Sequence, residues 1–292
     1  MKYPLSLKGV PCNICNLKTE EIIMKTDLGN IVRCKNCGLF YRSPRLSDED
    51  EIRRYKNLGY DDAYCEILDR SRKDLYLAVL EDIEAYKGKL LDVGCADGYF
   101  LGLAQKRGWE PYGVEISDFY LEKAKKNLSE KSVFGVPLKI AKFPSDFFDA
   151  VTLLDVLDHL GDPLGELEEI GRILKKKGML IARVRNGAFH VFLNRLFEKN
   201  VFGIIPVSTV FHLYGFDRHT LTILLKKANF SNIRIENSKL TGGNPYYQTK
   251  LLDRHMINII KRAYSAFAEV VSLLSRKNVL ISSSMMIYAK KK

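Results

Sequence analysis

The sequence lacks the segments that carry a chain into or across a membrane. No uncharged apolar run reaches the roughly 18 residues that a spanning helix needs. Residues Met1 to Val10 contain no apolar core of the kind found in secretory signals. The chain also has no internal repeat and no low-complexity tract. We therefore expect a cytoplasmic protein without a spanning helix.

Acidic residues are the scarcer charged type. The chain of 292 residues has 35 Asp and Glu against 46 Lys and Arg, which gives a net charge of +11. An excess of positive charge can attract nucleic acid, an anionic substrate or anionic lipid. Because the lysines are scattered, a solvated surface explains the charge equally well. Hydrophobic residues make up 46% of the chain, which is ample for one large domain plus a small one.

A glycine-rich turn between two apolar runs is the most informative feature of the chain. Lys89–Val93 is predicted to be a buried strand, and the turn from Gly94 to Gly98 leads into a predicted helix over Tyr99–Arg107. A second apolar run ends at Glu115. This order is the layout of a nucleotide-binding βαβ unit, in which the terminal acid binds the two hydroxyls of a ribose.

The composition of the turn indicates which nucleotide it binds. It has the form Gly94-x-x-x-Gly98 and lacks the G-x-G-x-x-G pattern of dinucleotide sites. Asp92 and Asp97 would repel a pyrophosphate. S-adenosylmethionine has no phosphate and carries a sulfonium and an ammonium group, so these acids suit it better. The alternative is an ordinary strand-to-helix turn without a ligand.

Further motifs follow the turn in order along the chain: Gly113–Ser117, Phe148–Val151, Leu154–Leu160 with Asp162-Pro163, and Leu174–Ile181. Together with Leu91–Gly98 they resemble the motifs of class I S-adenosylmethionine-dependent methyltransferases, over roughly residues 80–290. The resemblance implies an α/β fold, with a doubly wound, Rossmann-like, seven-stranded sheet whose last strand is antiparallel. It also implies that the cofactor contacts Asp92, Gly94, Cys95, Ala96, Gly98, Glu115, Ile116 and Asp155.

One departure from the family concerns the adenine. Many relatives place an acid after the third strand to hold the adenine amine, whereas Phe134-Gly135-Val136 offers none. We therefore expect backbone groups and apolar packing to hold the adenine.

Apolar runs alternate with helical segments, which predicts a parallel, doubly wound sheet. Helices are expected to begin after Ser117 and Asp217, whose side chains are good N-caps. The predicted strands are Lys89–Val93, Glu110–Glu115, Val133–Leu138, Phe148–Leu154, Met179–Val184, Asn232–Asn237 and Val279–Tyr288.

Four of the six cysteines form two Cys-x-x-Cys pairs, Cys12 with Cys15 and Cys34 with Cys37. This spacing is typical of a four-thiolate zinc site, which leaves no position open for catalysis. The metal would therefore fold a module of about 40 residues that is too small to be stable alone. Disulfides and a redox pair are the alternatives, and disulfides conflict with a cytoplasmic location.

The cysteine module has a resemblance of its own. Val32–Phe40 with Ser43-Pro44-Arg45 resembles the N-terminal zinc ribbon of some methyltransferases from sugar, polysaccharide and other secondary biosynthetic pathways, which implies a small-molecule acceptor. We predict a zinc ribbon over residues 1–45, a helical linker or lid over residues 46–87, and the methyltransferase domain over residues 88–292.

Two insertions, at about residues 185–216 and 240–277, interrupt the predicted domain. The first follows the fifth strand, where it either covers the acceptor or packs as a helical hairpin. Its aromatic residues are Phe189, Phe192, Phe197, Phe202, Phe211, Tyr214 and Phe216. Residues 251–277 form an apolar helical stripe with basic residues between. Such a helix can make peripheral contact with an anionic membrane, and a core helix or a dimer seam are the alternatives.

Methyl transfer requires an aligned acceptor and, for a hydroxyl or carbon acid, a base. His159 follows the fourth strand beside the expected methyl group, and a neutral imidazole is available near pH 7. His212 and Tyr214 are further catalytic candidates. The alternatives are a capping or packing role for His159 and a packed loop for the other two. Asp155 is expected at the amino-acid end of the cofactor.

These observations predict an S-adenosylmethionine-dependent methyltransferase that O- or C-methylates a small or lipid-like metabolite, in a sugar, polysaccharide or quinone pathway. An RNA methyltransferase is an alternative suggested by the ribbon and the net charge. Nucleic acid is the less expected partner because the chain has no RRM-type signature of aromatic and basic residues. A non-catalytic cofactor-binding scaffold is the other alternative.

Overall fold

The computed structural model describes residues 7–26, 29–56, 62–197, 211–239, 241 and 254–292. It does not describe the side chains of residues 62–70, 194–197, 254–258 and 260. The side chains of Phe197 and Phe202, two of the aromatic residues of the first insertion, therefore lie outside the described part. Residues 251–253, at the start of the predicted apolar stripe, lie outside it as well.

The described strands are β1 (Glu20–Met24), β2 (Ile31–Cys34), β3 (Phe40–Arg42), β4 (Lys89–Val93), β5 (Glu110–Val114), β6 (Val133–Phe134), β7 (Phe148–Leu154), β8 (Leu174–Arg185), β9 (Tyr214–Gly215), β10 (Phe230–Asn237) and β11 (Ser284–Lys291). The described helices are α1 (Asp48–Lys56), α2 (Asp62–Asp82), α3 (Tyr99–Lys106), α4 (Asp118–Asn127), α5 (Leu138–Ala141), α6 (Pro163–Ile173), α7 (Gly187–Phe197), α8 (Arg218–Lys227) and α9 (Arg254–Leu274).

Seven strands form the central sheet in the order β10-β11-β8-β7-β4-β5-β6. The strands from β8 to β6 run parallel, whereas β11 is antiparallel to both β8 and β10. The predicted doubly wound, Rossmann-like sheet with an antiparallel last strand is confirmed. Because the parallel strands end on one side, their carboxyl ends form a single edge, where ligands bind in open α/β sheets. We call it the carboxyl edge.

The third strand of this sheet is shorter than predicted. The predicted strand over Val133–Leu138 ends at Phe134, and Leu138 begins α5 instead. Pro137 precedes that helix and has no N–H to donate to a neighbouring strand. The prediction was wrong here because apolar character alone does not distinguish a strand from a short buried helix.

Two other strands, β8 and β11, begin five residues away from their predicted starts, whereas β5 and β10 differ from their predicted limits by one and two residues. β8 begins at Leu174 rather than Met179, because its backbone irregularity at Lys177, with φ of 64°, lets the chain continue beside β7. β11 begins at Ser284 rather than Val279. In the preceding loop the N–H of Ser282 donates to the side chain of Asn237 on β10 rather than to the main chain of that strand.

Both predicted N-caps are confirmed. The hydroxyl of Ser117 accepts a hydrogen bond from the N–H of Tyr120 at the start of α4. The carboxylate of Asp217 accepts one from the N–H of Thr220 at 2.8 Å, at the start of α8. Each cap satisfies a backbone donor that a helix leaves without an internal partner.

The N-terminal strands form a small ribbon that is joined to the large domain. β1, β2 and β3 make an antiparallel sheet, and β9 from the first insertion adds the fourth strand. Tyr41 pairs with Tyr214 across this junction. The backbone N–H of Arg42 donates to the carbonyl of Leu213 at 2.9 Å, and its Nη2 donates to the carbonyl of Phe211 at 2.8 Å. The junction therefore includes main-chain pairing between the two parts.

The buried core continues across this junction. Leu39 and Tyr41 of the ribbon belong to the same buried cluster as Phe216 and Phe148 of the large domain. A second cluster on the other face of the sheet contains residues of α2, such as Leu75. Helix α2, which lies in the predicted helical linker or lid, thus packs against the sheet through its C-terminal half.

The outward side of α9 is apolar and exposed. Ala268 is buried, but five apolar side chains on other positions of the helix are 51–81% exposed: Ile259, Phe267, Val270, Leu273 and Leu274. We call these five residues the α9 outer face. A core role for the whole predicted stripe is therefore wrong. Within the described residues no helix combines the length and apolarity required to cross a membrane.

Candidate active site

The glycine-rich turn connects β4 to α3 at the carboxyl edge. Gly94, Ala96 and Gly98 have φ values of 75°, 48° and 81°, in the left-handed region that favours glycine. A Cβ on Gly94 would lie 2.6 Å from a methyl carbon of Val156, so a larger residue does not fit. The turn can therefore approach the end of β7 closely and present its backbone to a ligand.

Glu115 comes directly after β5 and holds the turn in place. Its Oε2 accepts a hydrogen bond from the N–H of Ala96 at 3.0 Å, and its Oε1 accepts one from the N–H of Ser117 at 2.7 Å. The side chain is buried, and burial raises the pKa of its carboxyl group. Each oxygen has a further lone pair that can accept from a ribose hydroxyl.

Asp92 lies on β4 beneath the turn. It is buried and accepts a hydrogen bond from the hydroxyl of Thr152 at 2.6 Å. Burial raises the pKa of Asp92 to about 7, and the charge of Glu115 adds to this effect. A cation close by would favour the ionised form, so this position suits a positively charged ligand. We call Asp92, Gly94, Ala96, Gly98 and Glu115 the glycine-turn pocket.

Cys95 packs under the turn rather than facing solvent. A Cβ on Gly113 would lie 2.6 Å from its Sγ, so the missing side chain of that glycine makes room for the sulfur. Burial raises the pKa of the Cys95 thiol well above its ordinary value, which opposes a nucleophilic role. Ile116 is half-buried at the rim, next to Glu115.

Asp155 follows β7 and takes part in a half-buried ion network. Its carboxylate lies 2.5 Å from Nη1 of Arg183 and 3.1 Å from Nη2 of Arg72. Burial opposes ionisation, but the two guanidinium groups hold the pKa of Asp155 below its ordinary value. Its φ of 64° is unusual for a residue with a side chain. The acid predicted at the amino-acid end of the cofactor thus lies beside two cations.

The two histidine candidates contact each other. The ring centroids of His159 and His212 are 3.6 Å apart, with the planes tilted by 33°. The hydroxyl of Tyr55, on α1, lies 2.5 Å from Nδ1 of His159. Three segments far apart in the sequence therefore meet at one place beyond β7. We call His159 and His212 the histidine pair.

The surroundings keep both imidazoles neutral at pH 7. Burial lowers the pKa of His159 to about 4, and the charge of Arg185 contributes. Burial also lowers the pKa of His212 to about 2. Asp158 is buried next to the pair, and its Oδ1 lies 3.9 Å from Nε2 of His159 and has no hydrogen-bond partner among the described residues. Burial raises the pKa of Asp158 to about 7.

Tyr214 belongs to the junction with the ribbon. It is buried, its ring stacks on Phe216 at 5.6 Å, and its hydroxyl donates to the carbonyl of Gly161 at 2.9 Å. Burial raises the pKa of its phenol above the ordinary range. The side chain therefore ties the segment that carries His212 to the turn after β7.

The four cysteines of the ribbon cluster as the spacing predicts. The Sγ atoms of Cys12 and Cys37 are 3.4 Å apart, as are those of Cys15 and Cys34, and Cys15 to Cys37 measures 3.8 Å. Thiolates that bind zinc at about 2.3 Å at the corners of a tetrahedron lie about 3.8 Å from one another. The donor set and its spacing thus fit zinc.

Sequence reasoning missed Tyr55, Arg72 and Arg183. Arg183 carried a signal, because it is a charged residue within the apolar run of β8 and a buried charge needs a partner. Tyr55 and Arg72 lie in the segment predicted as a helical linker or lid, and no local pattern indicates that they reach the carboxyl edge.

Comparisons with known proteins agree on one family. A family profile described as "Methyltransferase domain" matches residues 64–235, more than half of the chain. The ubiquinone biosynthesis O-methyltransferase of Coxiella burnetii strain RSA 493 is 27% identical over 140 residues, which are 46% of this chain and 59% of that protein. The mitochondrial enzyme of the same name from Schizosaccharomyces pombe is 24% identical over 203 residues, 64% and 70% of the two chains. The chain thus spans about three-fifths of the length of the first relative.

Solved structures share the fold. A SAM-dependent methyltransferase from Archaeoglobus fulgidus has a TM-score of 0.50 at 20% identity and covers 79% of this chain and 100% of its own. Phosphoethanolamine N-methyltransferase 2 of Haemonchus contortus has a TM-score of 0.54 at 18% identity, with 84% and 60% covered. At these identities the likeness shows the fold alone. The matched profile decides the assignment: the chain belongs to the family that this methyltransferase domain defines.

Proposed function

We propose that this methyltransferase methylates a hydroxyl oxygen of a small or lipid-like metabolite, and that the acceptor hydroxyl lies against the histidine pair. The observation that carries the proposal is the contact between two neutral imidazoles at the carboxyl edge. A hydroxyl loses its proton as it becomes an ether, and a neutral imidazole is the base available at pH 7.

S-adenosylmethionine, when bound, supplies a methyl carbon that its sulfonium has already activated. We assign the contacts with it to the glycine-turn pocket together with Cys95, Ile116 and Asp155. Glu115 would hold the ribose, and the buried carboxyl group of Asp92 favours a positively charged ligand. The amino-acid end of the cofactor carries an ammonium and a carboxylate group. In the ion network, Asp155 can pair with the ammonium, and Arg72 and Arg183 can pair with the carboxylate.

We assign different roles to the three catalytic candidates. His159 accepts the proton, because Asp158 next to Nε2 can stabilise the imidazolium that forms and Tyr55 fixes the other ring nitrogen. His212 stacks on that ring and keeps water away from it. Tyr214 is a positioning residue, since its hydroxyl bond to Gly161 holds the segment of His212 in place.

The names of the relatives support an oxygen acceptor. Both curated relatives are called ubiquinone biosynthesis O-methyltransferases, which favours a phenolic acceptor of the quinone type. A sugar hydroxyl is the second candidate, because the ribbon resembles that of methyltransferases from sugar and polysaccharide pathways.

Zinc in the ribbon has a structural role in this proposal. Cys12, Cys15, Cys34 and Cys37 would use all four positions of a tetrahedral ion, so no position is left for substrate. The ribbon in turn supports the histidine pair, because Nε of Arg42 donates to the carbonyl of His212 at 3.3 Å.

We also propose that residues 251–277 make the peripheral membrane contact. The α9 outer face is apolar and exposed, and basic residues such as Arg262 and Arg276 adjoin it. An anionic bilayer surface is complementary to both features.

The experiment that tests the proposed activity uses S-adenosylmethionine with a labelled methyl group and a panel of hydroxylated quinone precursors and sugars. We expect the label in an ether, located by fragmentation in a mass spectrometer. His159→Asn should slow turnover by about 100-fold or more while cofactor affinity stays the same. His219→Asn, on the exposed side of α8, is the matched control and should leave turnover unchanged. Label on a carbon atom or in RNA, or wild-type turnover in His159→Asn, would contradict the proposal.

A further inference from the structure

The first cysteine pair of the ribbon, Cys12 and Cys15, lies against the start of α6 in the large domain. Asn13 stands between these cysteines, and its side chain makes two hydrogen bonds across the boundary. Its Nδ2 donates to Oδ1 of Asp162 at 3.0 Å, and its Oδ1 accepts from the N–H of Leu164 at 3.1 Å. One amide group of the ribbon therefore meets both an acceptor and a donor of the large domain.

These two bonds complete the N-terminus of α6. Asp162 is the N-cap of that helix, and its Oδ1 also accepts from the N–H of Gly165 at 3.1 Å. The first turn of a helix leaves backbone donors without a partner inside the helix. Asp162 satisfies the donor of Gly165, and Asn13 satisfies the donor of Leu164. The cap of α6 is therefore shared between the large domain and the ribbon.

The capped helix follows directly after the segment that carries His159. Residues 160–162 are all that separate this histidine from the first residue of α6. Within this short connection, the carbonyl of Gly161 accepts from Nη2 of Arg45 at 2.8 Å. The ribbon thus holds the connection at two neighbouring residues, Gly161 through Arg45 and Asp162 through Asn13. A shift of the ribbon would move the backbone next to the imidazole.

The fold of the first cysteine pair fixes where Asn13 lies. The backbone N–H of Asn16 donates to the carbonyl of Cys12 at 2.8 Å, which closes a turn around Asn13. Ile14, the next residue, is 2% exposed, so this turn cannot rotate without opening the core. A zinc ion held by Cys12 and Cys15 would fix both ends of the same turn.

We propose that Asn13 is a positioning residue, through which the zinc-bound first cysteine pair sets the place of His159 against the acceptor hydroxyl. The inference rests on the proposed function for the catalytic role of His159, whereas the coupling between Asn13 and the imidazole does not depend on methyl transfer. Proton transfer needs the base within hydrogen-bond reach of the hydroxyl, about 3 Å, so a small shift of the ring slows the reaction.

The test compares Asn13→Ala with Asn36→Ala in the full, zinc-loaded protein. Asn36 stands between the second pair of cysteines and is exposed, so its substitution changes the same zinc module away from α6. We expect Asn13→Ala to lower kcat by about tenfold, with little change in KM or in the affinity for S-adenosylhomocysteine. Asn36→Ala should match the wild type. Metal analysis should show the same zinc content in all three proteins.

Nuclear magnetic resonance of the imidazole rings gives a readout that needs no acceptor. The ring signals of His159 are identified by their loss in His159→Asn. Because the ring stacks on His212, its signals report the relative position of the two imidazoles. They should shift in Asn13→Ala and stay in place in Asn36→Ala. A contact that only stabilised the ribbon would lower the unfolding temperature and leave these signals where they are.

Asp162→Ala approaches the same contact from the large domain. It removes the acceptor of the Asn13 amide without changing the ribbon, and it should shift the ring signals of His159 at unchanged zinc content. If Asn13 acts through this cap, Asn13→Ala should have a much smaller effect in the Asp162→Ala protein than in the wild type. Equal effects in the two backgrounds would overturn the inference.

The outcomes separate this inference from the proposed function. Shifted ring signals in Asn13→Ala support the positioning role even where no ether product forms, and the absence of that product contradicts the proposed function alone. Unmoved ring signals in zinc-loaded Asn13→Ala would overturn the inference. Equal shifts in Asn13→Ala and Asn36→Ala would overturn it as well, because the rings would then respond to any change in the ribbon.

Discussion

The glycine-turn pocket and the histidine pair lie at the same edge of one sheet, but the chain builds them in different ways. The pocket comes from one βαβ unit between Asp92 and Glu115. The histidine pair needs the turn after β7, the segment before β9 and a tyrosine 104 residues away from its hydrogen-bond partner. A local motif thus specifies the pocket, whereas the pair exists only once distant segments have packed together.

The ribbon adds a second difference between the glycine-turn pocket and the histidine pair. It contacts the acceptor side, where Arg42 donates to the carbonyls of Phe211 and His212. The described hydrogen bonds of the glycine-turn pocket involve residues of the catalytic domain alone. Unfolding of the ribbon should therefore disturb the histidine pair more than it disturbs the glycine-turn pocket.

The largest effect is expected from removing a zinc ligand. Cys34→Ser should release the metal and destabilise the ribbon by several kcal/mol, because metal binding drives the folding of such modules. Turnover should fall much more than the affinity for S-adenosylhomocysteine, since the histidine pair loses its support. Metal analysis, thermal unfolding and calorimetry on the same sample measure the three quantities. An unchanged metal content would contradict the role of Cys34 as a zinc ligand. Equal losses of turnover and affinity would contradict the expected difference between the two sites.

His159 and Asp92 should also contribute to stability with opposite dependence on pH. The folded-state pKa of His159 is lowered to about 4 from an ordinary value of 6.5. It therefore contributes stability that is present above pH 6.5 and is lost as pH falls towards 4, by at most about 3 kcal/mol. The pKa of Asp92 is raised from 3.8 to about 7, so its contribution is present below pH 3.8 and is lost as pH rises through 7.

Urea unfolding between pH 4 and pH 8 measures these contributions. In His159→Asn the free energy of unfolding should decrease less as pH falls from 6.5 to 4. In Asp92→Asn it should decrease less as pH rises to 7. The same pH dependence of the unfolding free energy in both variants would show that His159 and Asp92 do not differ in this way.

The local structure around the glycine-rich turn could be predicted from the sequence far better than the contacts of the histidine pair. Strand, turn and terminal acid are local features, so Gly94, Gly98 and Glu115 could be identified from spacing alone. The cysteine spacing likewise predicted the ribbon cluster. Arg72 and Tyr55 could not be found in this way, because their role depends on where α1 and α2 pack. Apolar patterning also failed at Leu138, where a proline decides between strand and helix.

A smaller effect is expected at Tyr55. Tyr55→Phe removes the hydroxyl next to Nδ1 of His159 and should lower turnover by about threefold to tenfold, in line with the loss of one hydrogen bond. The affinity for S-adenosylhomocysteine should not change. Tyr112→Phe is the matched control, because its hydroxyl bonds to the exposed Glu110 instead. Equal effects of the two variants on turnover would remove the positioning role of Tyr55.

The smallest effect on stability is expected on the α9 outer face. Phe267 is 59% exposed, so Phe267→Ser should change the free energy of unfolding by no more than about 0.5 kcal/mol. Ala268→Ser, at the neighbouring buried position, should destabilise the protein more. Sedimentation with anionic vesicles should show weaker binding for Phe267→Ser alone, and equal binding of all three proteins would argue against membrane contact.

The most direct test of the site is calorimetric titration of S-adenosylhomocysteine into the wild-type protein and Glu115→Gln, with Glu110→Gln at the exposed start of β5 as control. We predict an affinity about 10 to 100 times weaker for Glu115→Gln, because the amide gives up acceptor sites for both the turn and the ribose. The control should bind like the wild type. Equal affinity of Glu115→Gln and the wild type would contradict the placement of the ribose in the glycine-turn pocket.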